Sequence, residues 1–491
     1  MGQPNILFVL TDQQRADTIH AGGNPFIKTP VMDRLCREGV NFTRAYTPSP
    51  VCVSARASII TGQYPHKNGC YDNGFHQPTD RPSMMDLLAR GGYQTHGVGK
   101  MHFTPDKNAL RGFDGRNTQE ELCRSMEEDD YLQFVQKEGF GHVHDLMGAR
   151  GEMYYIPQIS QFPQRLHPSN WVADRSIDFL NNRDSSKPFF LWTSFIHPHP
   201  PFSPPTPWNK LYRGPLMPFP KRPDRMEDLW THFNRHQNRY KYRDAGLDDR
   251  LLQVMWAYYW GCVSFIDYQV GRILSVLEHQ GELDNTLIVW SSDHGEFLGD
   301  YNCFGKRSFL DAAARVPLLV RYPERFPSGH EEQTPASLID LIPTFLSAAN
   351  IDDSDADLDG LDLAILVGMK EQRTLYGQLQ HGNRGMYMAY NGELKYIYSA
   401  GDQKEYLLDH RTDREETRNC AYNVMYAHEV KHMREGLINF FRADGYTEPL
   451  DDNGWRTCNR IELPNSPDAA LLIQDAGWSA PLYHIDGYSE K

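Results

Sequence analysis

Unbroken apolar runs stand at residues 5–10, 188–196 and 286–292 of the chain. Runs without alternation predict strands buried on both faces, as in a parallel sheet covered by helices. Residues 93–98 read as a further strand. Helical spacing fills the intervals: residues 29–39 (Val31, Leu35), 83–91 (Met84, Met85, Leu87, Leu88), 171–180, 248–280 (Val254, Tyr258, Phe265, Ile273, Val276, Leu277) and 336–349. Two stretches, 104–170 and 203–250, carry no sustained period. Excursions this long in a compact domain shape binding pockets. Residues 351–366 are acidic and read as a linker. From residue 373 the period shortens to that of strands at 374–378, 385–389, 394–398 and 404–408, followed by a helix at 427–441. This divides the chain into an α/β body over 1–366, a small α+β unit over 367–443 and a tail over 444–491. The tail is polar yet holds Trp455, Trp478, Tyr483 and Tyr488. It is expected to wrap the body or a neighbouring subunit, which leaves a homo-oligomer open.

Composition narrows the class. With 491 residues, 40% apolar and 23% charged, the chain reads as a soluble globular protein. A net charge of −14 argues against nucleic acid as a partner and requires a local basic pocket for any anionic substrate. No run approaches the roughly 18 apolar residues of a membrane span, so no membrane partner is expected. The eight cysteines (36, 52, 70, 123, 262, 303, 420, 458) include no Cys-x-x-Cys pair, which fits a reduced compartment. The Met-Gly-Gln-Pro start runs straight into an apolar strand without a basic leader, so the expected location is cytoplasmic.

Candidate chemistry gathers where the apolar runs stop. In 50–69, Cys52 stands at the start of a small-residue helix, with Arg56 one turn on and Thr61-Gly62 at the end. A helix N-terminus acidifies a thiol and holds an anion; the plainer reading is a buried structural cysteine. Asp12-Gln13 follow the first strand, where two oxygen donors suit a hard cation or Asp12 caps a helix. Lys100 and His102 follow the second, and project to one side if the segment stays extended. His197 and His199 follow the run at 188–196. Asp293-His294-Gly295-Glu296 follow 286–292, with Gly305-Lys306 beyond. The cluster 231–236 faces either the pocket or solvent. The acidic run 127–130 reads as a solvated face.

Cys52-Val53-Ser54-Ala55-Arg56 resembles the signature of the sulfatase family, Cys-x-Pro/Ala-x-Arg, and departs from it at Ser54. Asp12-Gln13, Gly99-Lys100-Met101-His102, Pro198-His199-Pro200-Pro201, Asp293-His294-Gly295-Glu296 with Gly305-Lys306, and Arg315-Val316-Pro317 resemble that family's further motifs in its order. The resemblance covers roughly residues 4–442. It implies an alkaline-phosphatase-like α/β sandwich with a mixed, mostly parallel sheet and a small C-terminal antiparallel sheet. It implies sulfate ester hydrolysis, on an aryl or carbohydrate sulfate, through formylglycine made from Cys52 by a formylglycine-generating enzyme. Asp12, Gln13, Asp293 and His294, with residue 52, are the implied ligands of one divalent cation, calcium by family default, with manganese or magnesium as alternatives. Arg56 then positions the nucleophile, Lys100 and Lys306 hold the anionic oxygens, His102 accepts a proton and His199 faces the leaving group. Phosphonate monoester or phosphodiester hydrolysis on the same scaffold is the alternative. An inactive binding homologue and a phosphomutase-like relative, which needs a Ser or Thr nucleophile, stand further off.

Overall fold

A computed structural model describes residues 2–121, 129–143, 145–150, 154–242, 248–352 and 356–462, and of 238–242 the backbone alone. Eight strands form its central sheet: β1 (Asn5–Asp12), β2 (Val40–Phe42), β3 (Gln94–Gly99), β4 (Gly115–Thr118), β5 (Phe189–Pro198), β6 (Thr286–Ser292), β7 (Leu318–Arg321) and β8 (His330–Glu332). Their order is β4-β3-β5-β1-β6-β7-β2-β8. Only β7 runs against its neighbours. Every residue of β1, β5 and β6 is buried, as their unbroken apolar runs predict.

The pleat of β1 sends its side chains alternately into two cores. Leu7 and Val9 face one, built with helices α1 (Pro30–Glu38), α4 (Pro168–Asn182) and α6 (Asp249–His279). Ile6, Phe8 and Leu10 face the other, with helices α2 (Cys52–Thr61), α3 (Met84–Arg90) and α7 (Leu341–Ala348). The sheet is thus sandwiched between helices. Because β3, β5, β1 and β6 are parallel neighbours, their C-terminal ends share one edge. Lys100, His199, Asp12 and Asp293 lie at those ends, where ligands of open α/β sheets bind.

A second sheet of β9 (Leu375–Leu379), β10 (Met386–Tyr390), β11 (Leu394–Ser399) and β12 (Lys404–Asp409) is antiparallel throughout. One face packs on helix α8 (Ala427–Ala443), the other on Tyr46, Phe297 and Phe309 of the main body. Lys395 crosses that junction. Its buried ammonium reaches Asp311 Oδ1 at 2.5 Å, Glu416 Oε1 at 2.6 Å and the Phe309 carbonyl at 3.0 Å. With His410 3.0 Å from Glu416, this acidic cluster already holds its cation.

The structure corrects several local readings. Residues 336–349 are not one helix. Ala336–Ser337 pair with Ala45–Tyr46, Leu338–Asp340 make a 3-10 turn, and α7 follows. Pro343 lacks an N–H, so it is tolerated only in a first helical turn, which sets where α7 begins. The excursion after residue 104 contains β4, a polar edge strand half-buried along its length, which offers no apolar alternation to read. In the second excursion the cluster at 231–236 opens helix α5 (His232–Tyr242), and the His232 N–H donates to Asp402 Oδ2 at 2.8 Å in the β11–β12 turn. In the acidic run, Asp129 accepts the Leu132 N–H as a helix cap; residues 127 and 128 lie outside the described residues, as do 353–355 of the acidic linker. In the tail, Trp455 stacks on Tyr398 with centroids 4.5 Å apart, and its Nε1 donates to Tyr396 Oη at 2.9 Å. Trp478, Tyr483 and Tyr488 lie outside the described residues, and so does any subunit contact they make.

Asp267 of α6 supplies a pH test of the fold. Its carboxyl accepts the Met32 and Val31 N–H groups at 2.9 and 3.1 Å, capping α1 from the neighbouring helix. No cation reaches it among its hydrogen-bond partners, and burial pushes its pKa up to about 7 despite the two N–H donors. A folded-state pKa above the unfolded value means stability fully present below the unfolded pKa and lost as pH rises through 7, on the order of 4 kcal/mol at the limit. Asp267→Asn should therefore close the gap in melting temperature to the parent as pH rises from 5 to 8. Parallel melting curves across that range would refute the assignment.

Candidate active site

Helix α2 begins at Cys52, and all ten of its residues are buried, with the short turns at 65–68 and 338–340 and helices α3 and α7 packed around it. Its first turn presents unpaired N–H groups, one of which, Val53, donates to Asn73 Oδ1 at 3.0 Å. Cys52 Sγ lies 3.0 Å from Lys306 Nζ, 3.1 Å from His294 Nε2 and 3.8 Å from Asp12 Oδ1. Burial and the Asp12 carboxylate push the thiol up; Lys306, Lys100 and His294 outweigh them and bring it down to about 6. Ser54, the residue that departs from the signature, points the other way. Its Oγ donates to the Cys70 carbonyl at 2.5 Å, so the hydroxyl is satisfied inside the fold.

Asp12 and Asp293 each divide their oxygens between two duties. Asp12 Oδ2 lies 2.7 Å from Lys100 Nζ and 3.4 Å from Arg56 Nη2, and Asp293 Oδ2 accepts from Arg56 Nε at 2.9 Å. Both Oδ1 atoms turn towards His294 Nε2, at 3.7 and 3.6 Å. His294 Nδ1 donates to the Gly295 carbonyl at 3.0 Å, which orients Nε2 towards the carboxylates. Ligand atoms of Asp12, Cys52, Asp293 and His294 all fall within 4.8 Å of one another. Two carboxylate oxygens and an oriented imidazole nitrogen are a fitting donor set for a divalent cation. The electrostatics agree: burial and the neighbouring Asp12 raise the pKa of Asp293, a repulsion that a cation relieves. Lys100 and the other cations hold Asp12 well below the carboxylate range against its burial. Gln13 stands beside this group with Oε1 2.7 Å from Lys306 Nζ.

Arg56 lies beneath the site with no exposed surface. Besides the two carboxylates it donates to the Lys100 carbonyl and, at 3.1 Å, to Ser194 Oγ on β5. It locks the ends of β1, β3, β5 and β6 to the start of α2. The backbone between Lys100 and His102 is not extended: Gly99 and His102 both have φ in the left-handed region, at 88° and 55°. The alternation argument therefore fails, although the Lys100 charge is still felt at the His102 imidazole. Burial and the charge of Lys100 push the His102 imidazole down to about 4, and among the described residues its Nδ1 has no hydrogen-bond partner. Burial likewise keeps His199 neutral, and its Nδ1 donates to the Pro200 carbonyl at 2.7 Å. His197 is part of a different group. It packs on His167, with centroids 4.9 Å apart, and reaches Ser203 Oγ at 3.3 Å.

One acidic residue escapes the sequence reading, and a second is named there without its partners. Glu121, in the first excursion, lies 3.1 Å from Lys100 Nζ, 2.9 Å from Arg150 and 3.8 Å from His199 Nδ1. A polar stretch without period offers no signal for it. Glu296 is visible in the motif after β6, but its partners are tertiary and cannot be read there. Ser194 was legible only as a polar position within an apolar strand.

Residues 4–351 match the family model for sulfatases, and residues 299–442 match that for the C-terminal part of N-sulphoglucosamine sulphohydrolases. The chain is 32% identical to an arylsulfatase of Clostridium perfringens, over 91% of this chain and 96% of that protein. It is 31% identical to a multifunctional alkaline phosphatase superfamily protein of Trinickia caryophylli, over 70% and 74% of the two chains. Its fold superposes on the crystal structure of a phosphonate monoester hydrolase of Agrobacterium radiobacter with a TM-score of 0.77, at 24% identity over 93% and 100% of the chains.

Proposed function

The chain belongs to the sulfatase family, and we propose that it hydrolyses sulfate esters, aryl or carbohydrate, with formylglycine made from Cys52 as its nucleophile and one divalent cation beside it. The observation that carries this reading is the convergence on Cys52 Sγ of Lys306, His294 and Asp12, with Arg56 locking the carboxylates behind. In this reading Sγ stands in for the oxygens that a formylglycine bears on the same carbon. Bound at Asp12, Asp293, His294 and Gln13, the cation would supply Lewis acidity to the substrate and to the nucleophile. Oxygen-rich donors favour calcium, while the imidazole also admits manganese.

The side chains supply the rest. Lys306 and Lys100 set positive charge where a sulfate's oxygens bind, in a pocket whose low dielectric strengthens the attraction. Neither lysine is loose, since Lys100 is held by Asp12 and Glu121 and Lys306 by Gln13. This local charge admits an anion that the overall −14 would repel. His102, neutral at physiological pH, is the proton acceptor in this reading. His199 has its Nδ1–H engaged, so Nε2 is the atom it presents on the leaving-group side.

A steady-state comparison of 4-nitrophenyl sulfate, a glucosamine sulfate and an aryl phosphonate monoester, with calcium or manganese, tests the reading. We expect kcat/KM to be highest on a sulfate. The identity to a multifunctional alkaline phosphatase superfamily protein favours a second activity of the same pocket, and we take phosphonate or phosphodiester hydrolysis as the candidate to test. A preference for the phosphonate by about tenfold or more, 1.4 kcal/mol at the transition state, would make that activity primary.

A further inference from the structure

Glu296 lies fully buried behind the site and touches neither residue 52 nor the two metal-facing carboxylates. Four hydrogen bonds converge on it. Oε1 accepts the N–H groups of Leu298 and Gly305, at 2.9 and 2.5 Å. Oε2 accepts the Tyr155 hydroxyl at 3.0 Å and the Gln13 Nε2 amide. Gly305 is the residue before Lys306. One carboxylate therefore ties together the Gln13 amide, the loop that carries Lys306 and the excursion that carries Tyr155.

The orientation of a Gln amide follows from what it meets. Lys306 Nζ has only donors, so the atom 2.7 Å from it must be Oε1; Glu296 accepts, so the atom on it must be Nε2. The Gln13 backbone is fixed as well, at a φ of 69°, with its carbonyl taken by Tyr259 Oη at 2.8 Å and its N–H by Asp293 Oδ1 at 3.2 Å. With the backbone immobile, only the amide flip remains, and Glu296 decides it. We propose that Glu296 is a positioning residue, which holds the Gln13 amide with its oxygen towards Lys306 and the cation site and clamps the Lys306 loop in register with it. This rests on the cation site of the proposed function and adds to it a reason for a glutamine rather than a second carboxylate at position 13: a carboxylate there would face Glu296.

The substitution Glu296→Gln tests this with little change of shape. The Leu298 and Gly305 N–H groups keep the new amide oxygen on their side, so its NH2 must face Gln13. The Tyr155 hydroxyl rotates to accept, but the Gln13 amide has to turn and present its NH2 to Lys306 and the cation. Adding Gln13→Glu removes the conflict, because a carboxylate has no wrong face, and it keeps the total charge of the pair. Calcium and manganese chloride titrations by calorimetry, with melting temperature as the check on folding, form a double-mutant cycle. Glu296→Gln is expected to weaken ion binding by about tenfold or more, the usual cost of a lost outer partner. Gln13→Glu is expected to tighten binding in the Glu296→Gln background and to melt lower, without tightening, in the parent. If Glu296→Gln alone fails to fold, a folded and ion-binding double variant carries the same support. Equal effects of Gln13→Glu in both backgrounds would overturn the inference while leaving the cation site standing. A parent protein that takes up neither ion would overturn both.

Discussion

Asp293→Ala should lose the divalent ion and turnover together, with kcat/KM falling by roughly 10³-fold or more, since a catalytic ion contributes several kcal/mol. Both oxygens of Asp293 are committed. Oδ1 faces His294 Nε2 at 3.6 Å, and Oδ2 accepts from Arg56 Nε at 2.9 Å. Removing the carboxylate takes a donor from the ion and leaves the buried guanidinium with Asp12, 3.4 Å away, as its remaining carboxylate. Two effects are thus superposed, and Asp293→Asn separates them. Its amide fills the same space and offers one oxygen, so it can serve Arg56 or the ion but not both. We expect Asn to recover melting temperature more fully than activity. Metal content should be measured on the folded fraction by elemental analysis after gel filtration. A stoichiometric ion retained in Asp293→Ala would place the cation elsewhere.

That Asp293 and Asp12 come together was implied by the family resemblance, and the pattern agrees with it, because each follows an unbroken apolar run. A run of that kind predicts a parallel strand, and the C-terminal ends of neighbouring parallel strands meet at one edge. The same pattern covers Lys100, whereas the choice of His199 over His197 came from the resemblance alone. The pattern did not reach the partners that set their chemistry. Glu121 comes from a polar excursion, and its approach to Lys100 depends on the path of a loop. The strand at Gly115–Thr118 went unread for a related reason: an edge strand with no apolar face has no period to detect. His102 failed differently. Its left-handed φ broke the alternation that was meant to place it beside Lys100. Helix α2 was recognisable from its small residues and terminal Gly62, whose φ of 68° closes the helix in the left-handed conformation. Its complete burial was not, since burial on every side is set by what covers a helix.

Residue 52 carries the second large effect. Cys52→Ala should reduce turnover by about 10⁴-fold or more, the scale of losing a nucleophile. It should leave ion binding in place, because Asp12, Asp293, His294 and Gln13 remain. A thiolate, favoured here by Lys306 and Lys100, could attack an ester directly. The resulting adduct through sulfur would then need water to displace it, a second step as hard as the first. A formylglycine hydrate carries two hydroxyls on one carbon, so the transferred group can leave by cleavage at that carbon once a base such as neutral His102 takes the proton. Cys52→Ser keeps a nucleophile of similar size but only one oxygen. It should bind the ion and fail to turn over. The hydroxyl of Ser54 is spent on the Cys70 carbonyl and lies away from the pocket, so the folded site gains nothing from it. In the proposed reading its effect would fall on the modifying enzyme's recognition of the signature, and partial modification is the expected result in a heterologous host. Peptide mass spectrometry of residue 52, run on the same preparations as the kinetics, should then show activity rising in proportion to the modified fraction. A preparation fully active with residue 52 entirely as thiol would exclude this nucleophile.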